Sequence, residues 1–174
     1  MPYHPAWPAM FAKWGVDLRA ALGDTAARID HIGSTSVPGL AAKPVIDIQI
    51  SVTSLEPTDE FLGPLTGMGL VYRADNPERT KRYFRERPGQ HRTHVHVRQL
   101  GSFSQQFPLL FRDYLRCHTS AATEYAAAKR LCAAQFRNDR PGYVQAKDAF
   151  VWDIIRRADA WAQRTGWIPS PSDA

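Results

Sequence analysis

Three features of the sequence predict an α+β fold. Strict alternation of apolar and polar residues runs from Val45 to Val52, other strand-like segments cluster before Ser104, and everything beyond Ser104 has helical periodicity. Strands first and helices after imply a small mixed β-sheet with flanking helices, followed by a helical C-terminal part. The 174 residues suit a single domain with a substantial core. That domain is predicted over residues 1–166, with a flexible tail over 167–174, where Pro, Ser and Asp gather.

Met10, Phe11, Trp14, Leu18 and Leu22 fall on one helix face, so Pro8–Leu22 reads as the first helix, ended by Gly23-Asp24. A short strand, Ala26–Ile32, delivers the chain to Gly33-Ser34. There Ser34 is placed to cap a short helix whose free backbone N–H groups would hold an anion, and an ordinary strand-to-helix turn is the alternative. In the Val45–Val52 strand, Ile46, Ile48, Ile50 and Val52 face one way and Asp47, Gln49 and Ser51 the other. Thr58–Met68 reads as a helix with Asp59 and Glu60 in the dipole-favoured first turn. A strand at Leu70–Arg73 comes next, then a hairpin pairing Thr80–Glu86 with Thr93–Leu100 across Pro88-Gly89. In its second arm His94, His96 and Arg98 share a face. Three helices complete the chain: one with a stripe of Phe107, Leu110, Phe111, Tyr114 and Leu115, one opened by Thr119 or Ser120, and one starting near Pro141 and ending near Thr165. Leu131, Phe136, Val144, Phe150, Trp152, Ile154, Ile155 and Trp161 are assigned mostly to the core.

At 44% hydrophobic and 22% charged, the composition is that of an ordinary soluble protein. No apolar run reaches membrane-spanning length and the first residues lack a signal-peptide layout, so a cytoplasmic protein without a membrane partner is expected. Cys117 and Cys132, without metal-ligand spacing, read as reduced thiols. A formal charge of +5 points to an anionic partner. The basic residues are not gathered on one long face, which favours a nucleotide or other phosphorylated small molecule over nucleic acid.

Asp47, central in an apolar strand, must be solvated, paired or bound to a cation, because burying a lone carboxylate is costly. His94 and His96 stand two apart on one strand face. With Asp47 across the sheet they would form a His-His-carboxylate set suited to zinc, manganese or iron; a solvated polar face is the alternative. His31 and His91 are further ligand candidates. Lys81, Arg82, Tyr83 and Arg85 make a basic aromatic strand, suited to phosphate or base contact or to an exposed sheet edge. Lys43, just ahead of the Asp47 strand, is a candidate anion contact. Tyr125 and Lys129, like Tyr143 and Lys147, are four apart and share a helix face, where a lysine stem over the ring is ordinary packing.

The run HIGSTSVPGL, His31 to Leu40, followed by KPVIDI, Lys43 to Ile48, resembles the signature of GrpB-family domains. The later HVHV, FRDYLR, Y-x-x-x-K and Y-x-x-x-K-x-x-F pieces fit the same family. By this resemblance the chain is similar to the DNA polymerase beta-like nucleotidyltransferase superfamily, whose mark is a Gly-Ser pair followed by a strand bearing Asp-x-Asp or Asp-x-Glu. The resemblance implies a sheet of nucleotidyltransferase type and metal-dependent transfer of a nucleoside monophosphate from a nucleoside triphosphate to an acceptor, with Mg2+ or Mn2+ as cofactor. It implies catalytic roles for Asp47 and Ser34, with Asp47 as metal ligand and Gly33 and Ser34 holding phosphates. Lys43, Lys129, Tyr143 and Lys147 would add nucleotide contacts. Gln49 departs from the pattern where a second acid is expected, and His94 and His96 stand where a third is expected. These departures open two alternatives: a non-catalytic nucleotide- or coenzyme A-binding module, as GrpB-like domains occur attached to dephospho-coenzyme A kinase, and a His/Asp transition-metal hydrolase.

Overall fold

The β-branched alternation of β2 (Ile46–Val52) makes it an inner strand of a five-stranded sheet in the computed structural model, which describes residues 1–174. The other strands are β1 (Arg28–Ile32), β3 (Val71–Tyr72), β4 (Lys81–Arg85) and β5 (Thr93–Gln99), and the order is β1-β2-β5-β4-β3. β2 and β5 run parallel, and every other pairing is antiparallel. The sheet is therefore mixed, and the architecture is α+β. The hairpin expected across Pro88-Gly89 is present as the β4–β5 pair.

The chain divides into two compact units, Met1–Pro108 with Ser170–Ala174, and Leu109–Pro169. In the first unit one sheet face is apolar. Ile29, Ile46, Ile48, Ile50, Phe84, Val95 and Val97 meet Trp7, Phe11, Leu18 and Leu22 of α1 (Trp7–Leu22) and Phe61 and Leu65 of α2 (Asp59–Gly67) in one core. Pro8 sits in the first turn of α1, where its missing N–H costs nothing. Arg19, in the last turn, donates to the Gly23 and Ala26 carbonyls that follow the helix.

Where composition predicts a loose tail, the chain instead returns to the outer edge of β1. Ala174 N donates to Ile29 O, Ser172 Oγ accepts from Ile29 N, and Asp173 accepts from His31 N. Composition records how a segment is solvated when free but not whether an unpaired strand edge lies nearby to bind it. Gly15 of α1 makes room for this return, since a Cβ there would lie 2.5 Å from Ala174 Cβ.

α3 (Phe103–Cys117) begins in the first unit and runs into the second, which holds α4 (Thr119–Gln135) and α5 (Arg140–Thr165). Asp139 caps α5 by accepting from Gly142 N, and Gly166 closes it in the left-handed conformation. The cap of α4 falls on His118 rather than on Thr119 or Ser120. The expected apolar core of these helices needs correction: Leu131, Val144, Phe150 and Trp152 are exposed, while Ala121, Ala126 and Ala128 of α4 and Ile154, Ile155 and Ala158 of α5 are buried. Alanines let helices approach closely, so the small residues take the contact that a stripe weighted by side-chain size assigns to large ones. No helix is long and apolar enough to cross a membrane.

Ile48 has no exposed surface. Ile48→Ala is expected to lower unfolding stability by about 2–5 kcal/mol, read from urea denaturation.

Candidate functional site

The opposite face of the same sheet is polar. Parallel pairing sets Asp47 of β2 beside His94 of β5, Gln49 beside His96 and Ser51 beside Arg98. Asp47 Oδ1 accepts from His94 Nδ1 at 3.1 Å and lies 3.7 Å from His96 Nε2. Metal-ligating atoms of the three residues lie within 4.8 Å of one another. Because the carboxylate can only accept, His94 Nδ1 carries its proton and the Nε2 lone pair is left free. That Nε2 and His96 Nδ1 are both buried without a hydrogen-bond partner. Tyr83 of β4, opposite His96, stacks on its ring at 5.1 Å and meets His94 edge-on at 5.7 Å.

Burial works against the charge on Asp47, but hydrogen bonds and attraction from His94 and His96 outweigh it and hold the carboxyl well below its usual range. Burial likewise pushes His96 down to about 4, against the pull of Asp47, so its imidazole is neutral at pH 7. One anionic oxygen and one ring nitrogen from each of two imidazoles, all within 4.8 Å of one another, fit a single divalent ion of the zinc, manganese or iron type once His94 Nδ1 gives up its proton.

Gly33 delivers the Gly-Ser turn onto this carboxylate. It adopts φ 70°, and a Cβ there would lie 2.6 Å from Asp47 Oδ2 and 3.0 Å from Asp47 Cβ. Only glycine permits this approach of backbone to Asp47. Ser34 opens a single 3-10 turn over Ser34–Ser36, and Gly33, not Ser34, takes the cap position without a side-chain bond. The turn is held instead by Ser36, whose N and Oγ both donate to Gly33 O.

The family model described as GrpB protein matches residues 1–157. This chain belongs to the GrpB family. The crystal structure of conserved protein GrpB from Enterococcus faecalis superposes with a TM-score of 0.82 at 33% identity, covering 92% of this chain and 98% of that one. A dephospho-CoA kinase from Mycolicibacterium paratuberculosis is 37% identical over 97% of this chain and 48% of its own length. The chain thus spans about half the length of curated relatives such as this one. A cytoplasmic RNA terminal U-transferase shares the fold, with a TM-score of 0.54 at 13% identity over 81% of this chain and 45% of that one.

Within this GrpB-family fold, Gly33, Ser34, Asp47, Gln49, His94 and His96 all lie in the first unit. Lys43 lies there too, exposed in the loop before β2. Lys129, Tyr143 and Lys147 belong to the second unit. Lys129 Nζ sits 4.7 Å above the Tyr125 ring, and burial together with the charges of Lys147 and Arg130 pushes it down to about 8. His31, a ligand candidate in the sequence, is on the apolar face. It stacks flat on Phe11 at 4.9 Å, and its Nε2 lies 3.0 Å from Thr35 Oγ1. Thr35 spends its proton on Val45 O, so His31 Nε2 is the donor and the residue acts as a core tie.

Sequence reasoning assigned no role to three groups around the polar face, Asp30, Arg98 and Gln105, which meet the Gln49 it did single out or its neighbours. Gln49, fully buried, is already occupied: Oε1 accepts from Arg98 Nη1 and Nε2 donates to Gln105 O, both at 2.9 Å. Arg98 itself is 7% exposed. Asp30, paired opposite Gln49, is a fully buried carboxylate held by both ends of the Arg28 guanidinium. Alternation in β1 and β5 was the available signal for Arg98 and Asp30. Nothing local marks Gln105, which reaches Gln49 and Ser51 across 56 and 54 residues of chain.

Gly33→Ala combines a left-handed backbone with a clash at Asp47, and is expected to cost about 1–3 kcal/mol in a denaturant titration. His96 binds its proton less readily folded than unfolded, so the unfolded chain holds more protons between about pH 4 and 6.5. Stability of the metal-free protein should therefore fall as pH is lowered through that window, by on the order of 1 kcal/mol per pH unit. His96→Gln should flatten that slope in pH-dependent urea melts.

Proposed function

We propose that this chain binds a nucleoside triphosphate through one divalent ion held at Asp47, His94 and His96, and transfers its nucleotidyl group to an acceptor. The observation that carries this reading is the juxtaposition of Asp47 with two imidazoles on one side and the Gly33 backbone on the other. A bound divalent ion supplies charge neutralisation of the phosphates and polarisation of the phosphorus under attack. Asp47 and the two histidines hold that charge in place, and the tight Gly33–Ser36 turn brings backbone beside it, where a phosphate oxygen finds donors. Lys43, exposed in the loop before β2, keeps within this proposal the nucleotide contact that the sequence suggests. With two imidazoles among the ligands, Mn2+ suits the site better than Mg2+, which prefers oxygen donors.

A second reading, metal-dependent nucleotide binding without turnover, is favoured by one observation. Gln49 is fully engaged with Arg98 and Gln105, so the sheet offers the ion site a single carboxylate. The kinase name carried by longer relatives makes an adenine nucleotide or coenzyme A the first ligand to try under this reading.

Thermal melts with each nucleoside triphosphate, with and without Mn2+, test both. Saturating nucleotide with metal is expected to raise the wild-type Tm by about 5 °C and to leave Asp47→Asn unchanged. Pyrophosphate release in the same mixtures separates transfer from binding alone. A wild type that no triphosphate stabilises in the presence of Mn2+ would overturn the proposal.

A further inference from the structure

Arg98 is a buried cation without a buried anion to match it. Its Nη1 donates to the neutral Gln49 at 2.9 Å, and its Nε is buried with no partner. The two carboxylates whose charge reaches it, Glu78 and Asp47, are committed elsewhere: Glu78 to Lys81 Nζ at 2.6 Å, and Asp47 to His94 and His96. Taking a guanidinium out of water without a counter-charge is costly, and the cost is relieved when an anion arrives. Arg98 also sits one step along the same strand face from His96, about 7 Å away by strand geometry. Its planar fork suits phosphate oxygens better than any other side chain.

We infer that the Gln49–Arg98 pair limits this site to one metal ion, and that the Arg98 guanidinium takes the phosphate charge a second ion would take. Resting on the proposed triphosphate site, the inference specifies how that site is charged. A second divalent ion at Gln49 would lie within hydrogen-bonding range of a guanidinium, and two cations at that distance repel strongly in a buried setting. Gln49 anchors Arg98 without neutralising it. An acid in its place would pair with Arg98 and consume the charge.

Calorimetric titration with Mn2+, and separately with tripolyphosphate with and without Mn2+, tests this on wild type, Gln49→Asp, Arg98→Gln and the double variant. Wild type should bind one Mn2+. Each single variant should still bind one ion, but tripolyphosphate about tenfold more weakly. The double variant, with an added acid and no guanidinium, should bind a second Mn2+. Arg98→Lys, which keeps the charge, should hold tripolyphosphate more tightly than Gln49→Asp does, and it carries the comparison if circular dichroism shows Arg98→Gln unfolded. Two ions in wild type, or unchanged tripolyphosphate affinity in the single variants, would overturn the inference. A wild type that takes up no Mn2+ would instead remove the metal reading. Loss of metal-free tripolyphosphate binding in Arg98→Gln would then still support the anion role.

Discussion

The parallel register between β2 and β5 is the constraint on which the rest of the site depends. Asp47 and His94 are 47 residues apart in sequence and meet only because Ile48 pairs with Val95 and Ile50 with Val97. That register is set from the other side of the sheet. Ile46, Ile48, Ile50, Val95 and Val97 all reach one core with α1 and α2, and each contributes about 1.5–3 kcal/mol by leaving water. Slipping β5 by a residue would bury His94 and His96 among these side chains and turn the valines to the polar face. The core thus holds the imidazoles against Asp47 far more firmly than their own contacts of 3.1 and 3.7 Å would.

Charge on the polar face is arranged in local pairs around the Asp47 cluster. Arg28 clasps Asp30 and Lys81 clasps Glu78, which leaves Asp47 with two imidazoles and Arg98 with a neutral amide. In the proposed site the cation would go to Asp47 with its two imidazoles and the anion to Arg98, on the same face of the sheet. A metal-bound polyphosphate carries both complements in a single ligand. Arg98 Nε, buried without a partner, is a donor on this face that the protein leaves open.

Gly33 ties the Gly-Ser turn to this charge distribution. Its positive φ and the short distance from its missing Cβ to the Asp47 carboxylate make turn and carboxylate one feature.

The two faces of β2 and β5, the order of strands and helices, the β4–β5 hairpin and the Gly-Ser turn were legible in the residues alone, because period-two alternation and turn chemistry are local properties of the chain. Tertiary structure alone decided which strands became neighbours and what each polar group met. It placed β5 parallel beside β2, turned His31 into the core against Phe11, engaged Gln49 through Arg98 and Gln105, and drew residues 172–174 onto the open edge of β1. It also buried alanines in α4 and left Leu131 and Trp152 exposed. Each of these outcomes turns on contacts between residues far apart in sequence, where burial and pairing partners, not the pattern of neighbouring residues, set the lowest free energy.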